Sequence, residues 1–457
     1  MSRFGKDAVA LQSDWQQQVT FSALYRIIPP RTITRVLQQT RRSKRFCSRA
    51  PDAFMVFFVI AMGLYRGDCY RQVCRALTSK FRKKAIPGRS TLCEARHRLG
   101  VAPLVVLAAQ IIRLLARPDT PGAFYNGMRL MAADGFVVDV PDTPANDRAF
   151  GRPRNNKSPG PFPQAQVLGL VECGTHVFWR CQIKPCNVGE TVMLRPLLKH
   201  LEPGMLLLWD RGFASYDLVR KVRGRKAHLL ARWKTNRILV PIGHLKDGSY
   251  LSRLYANDSD RRAHRNGVDV RIIEYTIKDD NARQPDRHRL LTTLLDEKAY
   301  PIKELVELYH CRWEEEISIG ELKTHQMENL AVRSGTPAGV VQELYGLLLG
   351  HFVVRSVMFE ASEKAGVAPQ RISFTGTLKI LRCRLPQCPR QSKARLKWYK
   401  ELLEEITEAE ELLPVRRRRI NPRVIKRKQS AWPKKRPKHR NPPQPTGAFI
   451  DLVVFLR

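Results

Sequence analysis

The sequence predicts an α/β protein: a strand-rich core interrupted by a second strand-rich stretch, with helical regions before and after. Three observations carry this. Short β-branched or apolar runs begin near residue 128. Further strand-like runs, joined by loops rich in Asp, Asn, Arg and Gly, fill the stretch from about 235 to 295. Helical patterning dominates before residue 125 and resumes after Pro301. Strands, then hairpins, then helices is the order of a layered core with a β insertion before its last helices.

The helical opening comes first. Pro29-Pro30 marks a turn, after which Thr32–Gln39 reads as a helix. A basic cluster (Arg41, Arg42, Lys44, Arg45) precedes an apolar run, Ala53–Leu64, too short for a bilayer and therefore a buried helix. A second cluster (Lys80, Arg82, Lys83, Lys84) leads to the turn Pro87-Gly88. Ser90 or Thr91 is then placed to cap a helix bearing Arg96, His97 and Arg98. Helix, turn and basic helix is compatible with DNA binding and equally with a charged solvated helix.

Next come the strands. Arg129–Ala133, Val137–Val140, Val167–Val171 and Val177–Ile183 read as short strands, and Met205–Trp209 as a buried one ending at Asp210. Ile238–Val240, Tyr250–Leu254, Val268–Ile277 and Arg289–Leu295 read as antiparallel strands of the insertion. Helices follow from Pro301 through Phe359, then an acidic helix over Glu401–Leu413, which Pro414 ends. The domains expected are 1–125 (helical, DNA-binding), 126–358 (core, insertion about 235–295) and 359–457 (helical segment and basic tail). The tail carries Arg416, Arg417, Arg418, Arg419, Arg423, Lys426, Arg427 and Lys428 among Pro and polar residues, and cannot bury a core of its own. It suits an arm laid along a phosphate backbone.

Composition narrows the partners. The 457 residues include 80 Lys and Arg against 42 Asp and Glu, a net charge of +38. So basic a chain attracts polyanions, nucleic acid above all. An anionic membrane is the rival, but no basic amphipathic helix supports it. The ten cysteines are scattered without Cys-x2-Cys pairs, which argues for reduced thiols rather than zinc. Residues 1–20 are polar and mixed in charge, unlike a signal peptide. A soluble cytoplasmic protein is expected.

Three acids stand out. Asp134 closes Arg129-Leu-Met-Ala-Ala and precedes Gly135; Asp210 closes Leu206-Leu-Leu-Trp and precedes Arg211-Gly212-Phe213. Carboxylates at strand ends lie where α/β sheets bind ligands, although either alone suits a turn or helix cap. The third lies in Tyr309-His-Cys-Arg312-Trp-Glu-Glu-Glu316-Ile-Ser-Ile-Gly-Glu-Leu-Lys323. On a helix turning about 100° per residue, Tyr309, Arg312, Glu316 and Lys323 fall at roughly 0°, −60°, −20° and −40°. Glu314, Glu315 and Glu321 point away from that stripe. Read alone, Arg312 and Glu316 are also an ordinary i,i+4 pair. Together the three acids suit hard divalent cations: phosphodiester cleavage needs an activated nucleophile and a stabilised leaving oxygen, which two Mg²⁺ ions about 3.5–4 Å apart provide.

These residues resemble the DDE transposases of bacterial insertion sequences, in the IS-four family. That family is marked by Tyr-x2-Arg-x3-Glu-x6-Lys, matched here at Tyr309, Arg312, Glu316 and Lys323. It also carries Asp-Gly after the first core strand and Asp-Arg-Gly-Phe after a later one. Segments Asp142–Asn146 to Gly151, Leu290–Asp296, Arg333–Pro337, Asn421–Lys428 and Ser90–Gly100 are similar as well, so the likeness covers nearly the whole chain. The resemblance implies a ribonuclease-H-like core with a β-rich insertion between the second and third acids. It assigns metal binding to Asp134, Asp210 and Glu316, with two Mg²⁺ (or Mn²⁺) ions as cofactors. It assigns the terminal phosphate to Tyr309, Arg312 and Lys323, with Arg211 beside them. The implied partners are double-stranded DNA, as element ends and target, and a second subunit in a synaptic homodimer. The implied location is the bacterial cytoplasm, at the nucleoid. No Trp lies between Trp233 and Trp313, where relatives that cut through a DNA hairpin carry a base-stacking Trp. The alternative functions are a catalytically silent DNA-binding derivative and a ribonuclease-H-like nuclease that cuts without joining.

Overall fold

Segments far apart in the chain gather into two units. The structure, a computed structural model, describes residues 20–41, 50–78, 86–153, 160–235, 239–277, 287–310, 313–389, 391–414 and 453–455, the side chains of 20–22 and 313–316 excepted. Of these, residues within 1–213, 221–228 and 312–413 form the first unit, and those within 214–220, 229–311 and 414–457 the second. The basic clusters at 42–45 and 80–84 and the tail residues Arg416 to Lys428 lie outside the described residues.

In the first unit the helices α1 (Pro30–Gln39), α2 (Asp52–Leu64), α3 (Tyr70–Leu77), α4 (Arg89–Leu99) and α5 (Ala102–Ile111) come first. Nearly every side chain of α2 is buried, as an unbroken apolar run requires. Its partner is the long helix described below, met at two glycines. A Cβ on Gly63 would lie 2.3 Å from the Gly346 carbonyl oxygen, and one on Gly346 would lie 2.4 Å from that of Val59. The helix α4 starts at Arg89 with Gly88 as its cap, and no side chain caps it. The expected Ser90 or Thr91 cap is thus corrected: both fall inside the first turn.

Five strands follow: β1 (Phe124–Tyr125), β2 (Met128–Asp139), β3 (Gln164–Glu172), β4 (Val177–Pro185) and β5 (Met205–Trp209), with α6 (Pro144–Phe150) and α7 (Glu190–Leu194) in the connections. Their order is β4-β3-β2-β5, with β1 hairpinned onto β2. β2 runs antiparallel to β3 and parallel to β5. Arg129–Ala133 and Val137–Val140, expected as two strands, are one. Asp134-Gly135 is not a turn; Asp134 pairs with Gly169 and Gly135 with Leu168 inside the ladder. The glycine serves close approach instead: a Cβ on Gly135 would sit 2.7 Å from the Val167 carbonyl oxygen.

The chain re-enters the first unit through α8 (Trp313–Gly320), which continues as a π-helical turn over Glu321–Gln326. Then come α9 (Pro337–Ala365), α10 (Phe374–Arg384) and α11 (Ser392–Ile406). The stretch from Pro301 to Phe359 is helical as expected, apart from the segment between Gln326 and Pro337, and the acidic helix starts earlier than Glu401, at Ser392. α9 is the one described helix long and apolar enough to cross a membrane, but 89% of its apolar window is buried inside the unit. It is the core helix, packed on α2, α5, α10 and α11. The mixed sheet backed by helices is the ribonuclease-H-like α/β core expected.

The second unit is an antiparallel sheet. Its strands are β6 (His228–Arg232), β7 (Pro241–His244), β8 (Tyr250–Leu254), β9 (Val268–Ile277) and β10 (Arg287–Thr292), in the order β6-β10-β9-β8-β7. β11 (Val453–Phe455), near the C-terminus, adds to β9. Arg271 on β9 is fully buried yet satisfied: it donates to Ser249 Oγ at 2.8 Å and Tyr300 O at 2.7 Å, and pairs with Asp247. A helix, Ile302–His310, closes the unit.

Candidate active site

Parallel pairing of β2 with β5 matches Arg129 to Met205, Leu130 to Leu206, Met131 to Leu207 and Ala132 to Leu208. The offset is 76 residues throughout, and the same offset carries Asp134 to Asp210, the residue that follows β5. Pairing ends at Ala132 with Leu208, so each acid lies two residues past the last matched pair of neighbouring strands, which are spaced about 4.8 Å apart. Both are partly exposed. Each turns one carboxylate oxygen onto the next backbone N–H: Gly135 N donates to Asp134 Oδ1 and Arg211 N to Asp210 Oδ1, both at 2.7 Å. The apolar neighbours, Ala132, Ala133, Leu208 and Trp209, are buried, so the sheet fixes the backbone under both carboxylates.

The helix α8, which carries Glu316, packs against β2. The side chains of Arg312 and Glu316 lie outside the described ones. Lys323 is exposed on the π-helical turn, and Arg211 is exposed in the 3-10 turn that follows Asp210. Tyr309 is buried in the closing helix of the second unit. The single α-helical stripe from Tyr309 to Lys323 does not keep one period: after Gly320 the chain forms a π turn with a wider i→i+5 period.

Glu321, which the helical wheel turned away from the stripe, is a buried anchor. Its carboxylate pairs with Arg355 and meets His176 Nδ1 at 2.9 Å and His351 Nε2 at 3.2 Å. Burial alone would raise this carboxyl; the guanidinium of Arg355 and then His176 outweigh that and hold it well below the usual carboxylate range. Burial pushes His351 down from its ordinary value. No local pattern announces this cluster, because its members lie on β3–β4, the π turn and α9. Glu190 is a second acid that sequence reasoning passed over. Its Oε2 lies 3.9 Å from where a Cβ on Gly212 would be, beside the Asp210 turn, and its Oε1 accepts from Gln166 Nε2 at 3.3 Å. Among the described residues, no three His, Cys, Asp or Glu side chains form a metal cage. Two partly exposed carboxylates nonetheless fit a hard cation that prefers oxygen donors.

The Transposase DDE domain family matches residues 125–353, and the family of the insertion element 4 transposase N-terminal region matches residues 18–108. The chain belongs to the DDE transposases of the IS4 family. The transposase is 27% identical over 421 residues to Transposase InsG for insertion sequence element IS4 of Escherichia coli (strain K12), covering 89% of this chain and 92% of that protein. It is also 27% identical over 150 residues to the Putative transposase InsZ of the same organism, covering 32% of this chain and 50% of that one. Among solved structures, the piggyBac transposase synaptic complex with hairpin DNA aligns with a TM-score of 0.39 and 12% identity, over 87% of this chain and 84% of that one.

Proposed function

We propose that this transposase binds the ends of its insertion sequence as double-stranded DNA, cuts beside them in a Mg²⁺-dependent reaction, and joins the 3′-hydroxyls to target DNA. What supports the reading is the β2–β5 register, which sets Asp134 and Asp210 each two residues past the last paired residues of adjacent parallel strands, in a chain that matches the Transposase DDE domain family. Asp134, Asp210 and Glu316 would hold two Mg²⁺ or Mn²⁺ ions. When bound, the ions supply an activated oxygen nucleophile and stabilise the leaving oxygen. The chain's own groups orient the rest. Backbone N–H groups of Gly135 and Arg211 fix one oxygen of each aspartate, which leaves the carboxylate planes little freedom to rotate. Tyr309, Arg312, Lys323 and Arg211 offer a hydroxyl, two guanidinium forks and an ammonium to the terminal phosphate.

Two ends must meet for transfer, so the active species is a synaptic homodimer on DNA. The N-terminal helices, with their basic faces, contact the ends, and the tail from Arg416 to Lys428 follows the backbone. A nucleoid-bound cytoplasmic enzyme accords with a charge of +38. Glu316→Gln tests the assignment: cleavage of element-end DNA is lost while end-binding stays measurable, and retained cleavage or joining refutes it.

A further inference from the structure

A cavity of about 550 Å³ opens in the first unit between α3, α4 and the start of α9, away from the residues assigned to catalysis. Tyr70, Arg71, Arg89, Arg96, His97 and Arg333 line it, and no Asp or Glu does. One of these cations is built in. Arg96 is buried, donating to Ser334 Oγ and to Gly339 O, both at 3.1 Å, and to the Tyr70 hydroxyl. Its Nε is buried without a partner among the described residues. Arg333 donates to Asp68 O at 2.6 Å. The guanidinium carbons of Arg96 and Arg333 each lie 5.5 Å from the Tyr70 ring centroid, so one aromatic ring spaces two like charges. Arg71, Arg89, His97 and Arg333 are exposed.

Behind this wall sits one carboxylate. Glu343 is buried, pairs with Arg66 at 2.5 Å and lies 3.9 Å from Arg96. A single anion cannot neutralise Arg66, Arg96 and Arg333 together, so positive charge faces the cavity. The N-terminus of α9, capped by Thr336, opens onto the same space and adds its dipole. The floor is tied to the catalytic strand's continuation. Asn146 Nδ2 donates to Ser334 O at 3.2 Å, and Thr143 Oγ1 donates to Gly335 O at 2.8 Å; Thr143 and Asn146 follow β2, which carries Asp134.

We propose that this cavity binds a backbone phosphate of the DNA on which the enzyme acts, at a contact separate from the three carboxylates. The inference rests on the transposase reading above. Its ligand is a phosphate with non-bridging oxygens, recognised by guanidinium forks and a helix N-terminus. Arg71, Arg89 and Arg333 supply exposed charge, while the buried Arg96 forms the fixed inner wall.

The test uses full-length protein and a duplex carrying the element's terminal repeat, with affinity measured by fluorescence anisotropy across a salt series. Arg71→Gln/Arg89→Gln changes two exposed side chains, and a melting temperature equal to wild type verifies the fold. The slope of log affinity against log salt is expected to fall by about 0.9, the loss of one phosphate contact. Arg71→Lys/Arg89→Lys is expected to restore most of it. A slope equal to wild type in the Gln variant, with wild type cleaving in Mg²⁺, overturns the cavity assignment alone; a wild type that never cleaves brings down the transposase chemistry instead. Inorganic phosphate separates the sources. If it raises the melting temperature of wild type but not of the Gln variant, while their DNA slopes coincide, the cavity takes a free anion and the backbone assignment fails.

Discussion

Asp134 and Asp210 occupy equivalent positions on adjacent parallel strands, one inside β2 and the other at the first residue past β5. Their placement follows from the β2–β5 register, which ends two residues before each of them. A one-residue slip between β2 and β5 would send one carboxylate to the opposite face, so whatever holds the register also holds the candidate metal site.

Gly135 lets β2 lie close against β3 beside Asp134. Gly135→Val would drive a Cβ into the Val167 carbonyl, 2.7 Å away. Despite the high β-propensity of Val, the expected cost is about 1–3 kcal/mol from overpacking. Cleavage should fall further than the loss of folded protein explains. Urea unfolding and cleavage rates on the same preparation check both parts; unchanged stability would mean that β3 yields freely.

The Glu321 cluster makes stability depend on pH in a stated direction. Burial makes His351 take up its proton at lower pH in the fold than in the unfolded chain, where it does so as pH falls through about 6.5. Glu321 stays ionised in the fold, whereas in the unfolded chain it is protonated below about 4.5. In each case the unfolded state binds more protons, so stability declines on acidification, first below 6.5 and again below 4.5. Arg355, His176 and the Phe374 ring face the same site. His351→Gln should flatten the decline between pH 6.5 and 5 in urea-midpoint measurements. Glu321→Gln should cost about 3–5 kcal/mol at pH 7, since it leaves Arg355 buried with a neutral partner.

Deleting residues 416–440 should weaken binding to any duplex, not only to element ends, and flatten its salt dependence. Filter-binding isotherms on specific and unrelated DNA at several salt concentrations measure this. A loss confined to the specific duplex would make the tail a sequence reader instead.

Where neighbouring residues alone decide structure, the sequence was legible. Tyr250–Leu254, Val268–Ile277 and Met205–Trp209 were read with the bounds they have, because alternation or an apolar run bounded by polar turns specifies a strand locally. Asp134-Gly135 misled for the same reason: the pair is a turn signal unless a partner strand claims it, and that partner, Leu168-Gly169, lies more than thirty residues on. β11 escaped notice because three residues after a basic tail carry no pattern until β9 supplies an edge. The π turn at Glu321–Gln326 was invisible to a wheel drawn with one period. Glu321 itself carries no local signal beyond falling off the Tyr309–Lys323 stripe, since Arg355, His176 and His351 are assembled only by the fold.

The most direct measurement compares cleavage and joining of element-end DNA by wild type, Asp134→Asn and Asp210→Asn across a Mg²⁺ titration. Loss of groups that merely support metal ligands costs about 10–100-fold; removal of a ligand itself should cost more than about 100-fold in both variants, with DNA binding retained. Either variant cutting and joining at the wild-type rate, with the same Mg²⁺ dependence, would contradict the account.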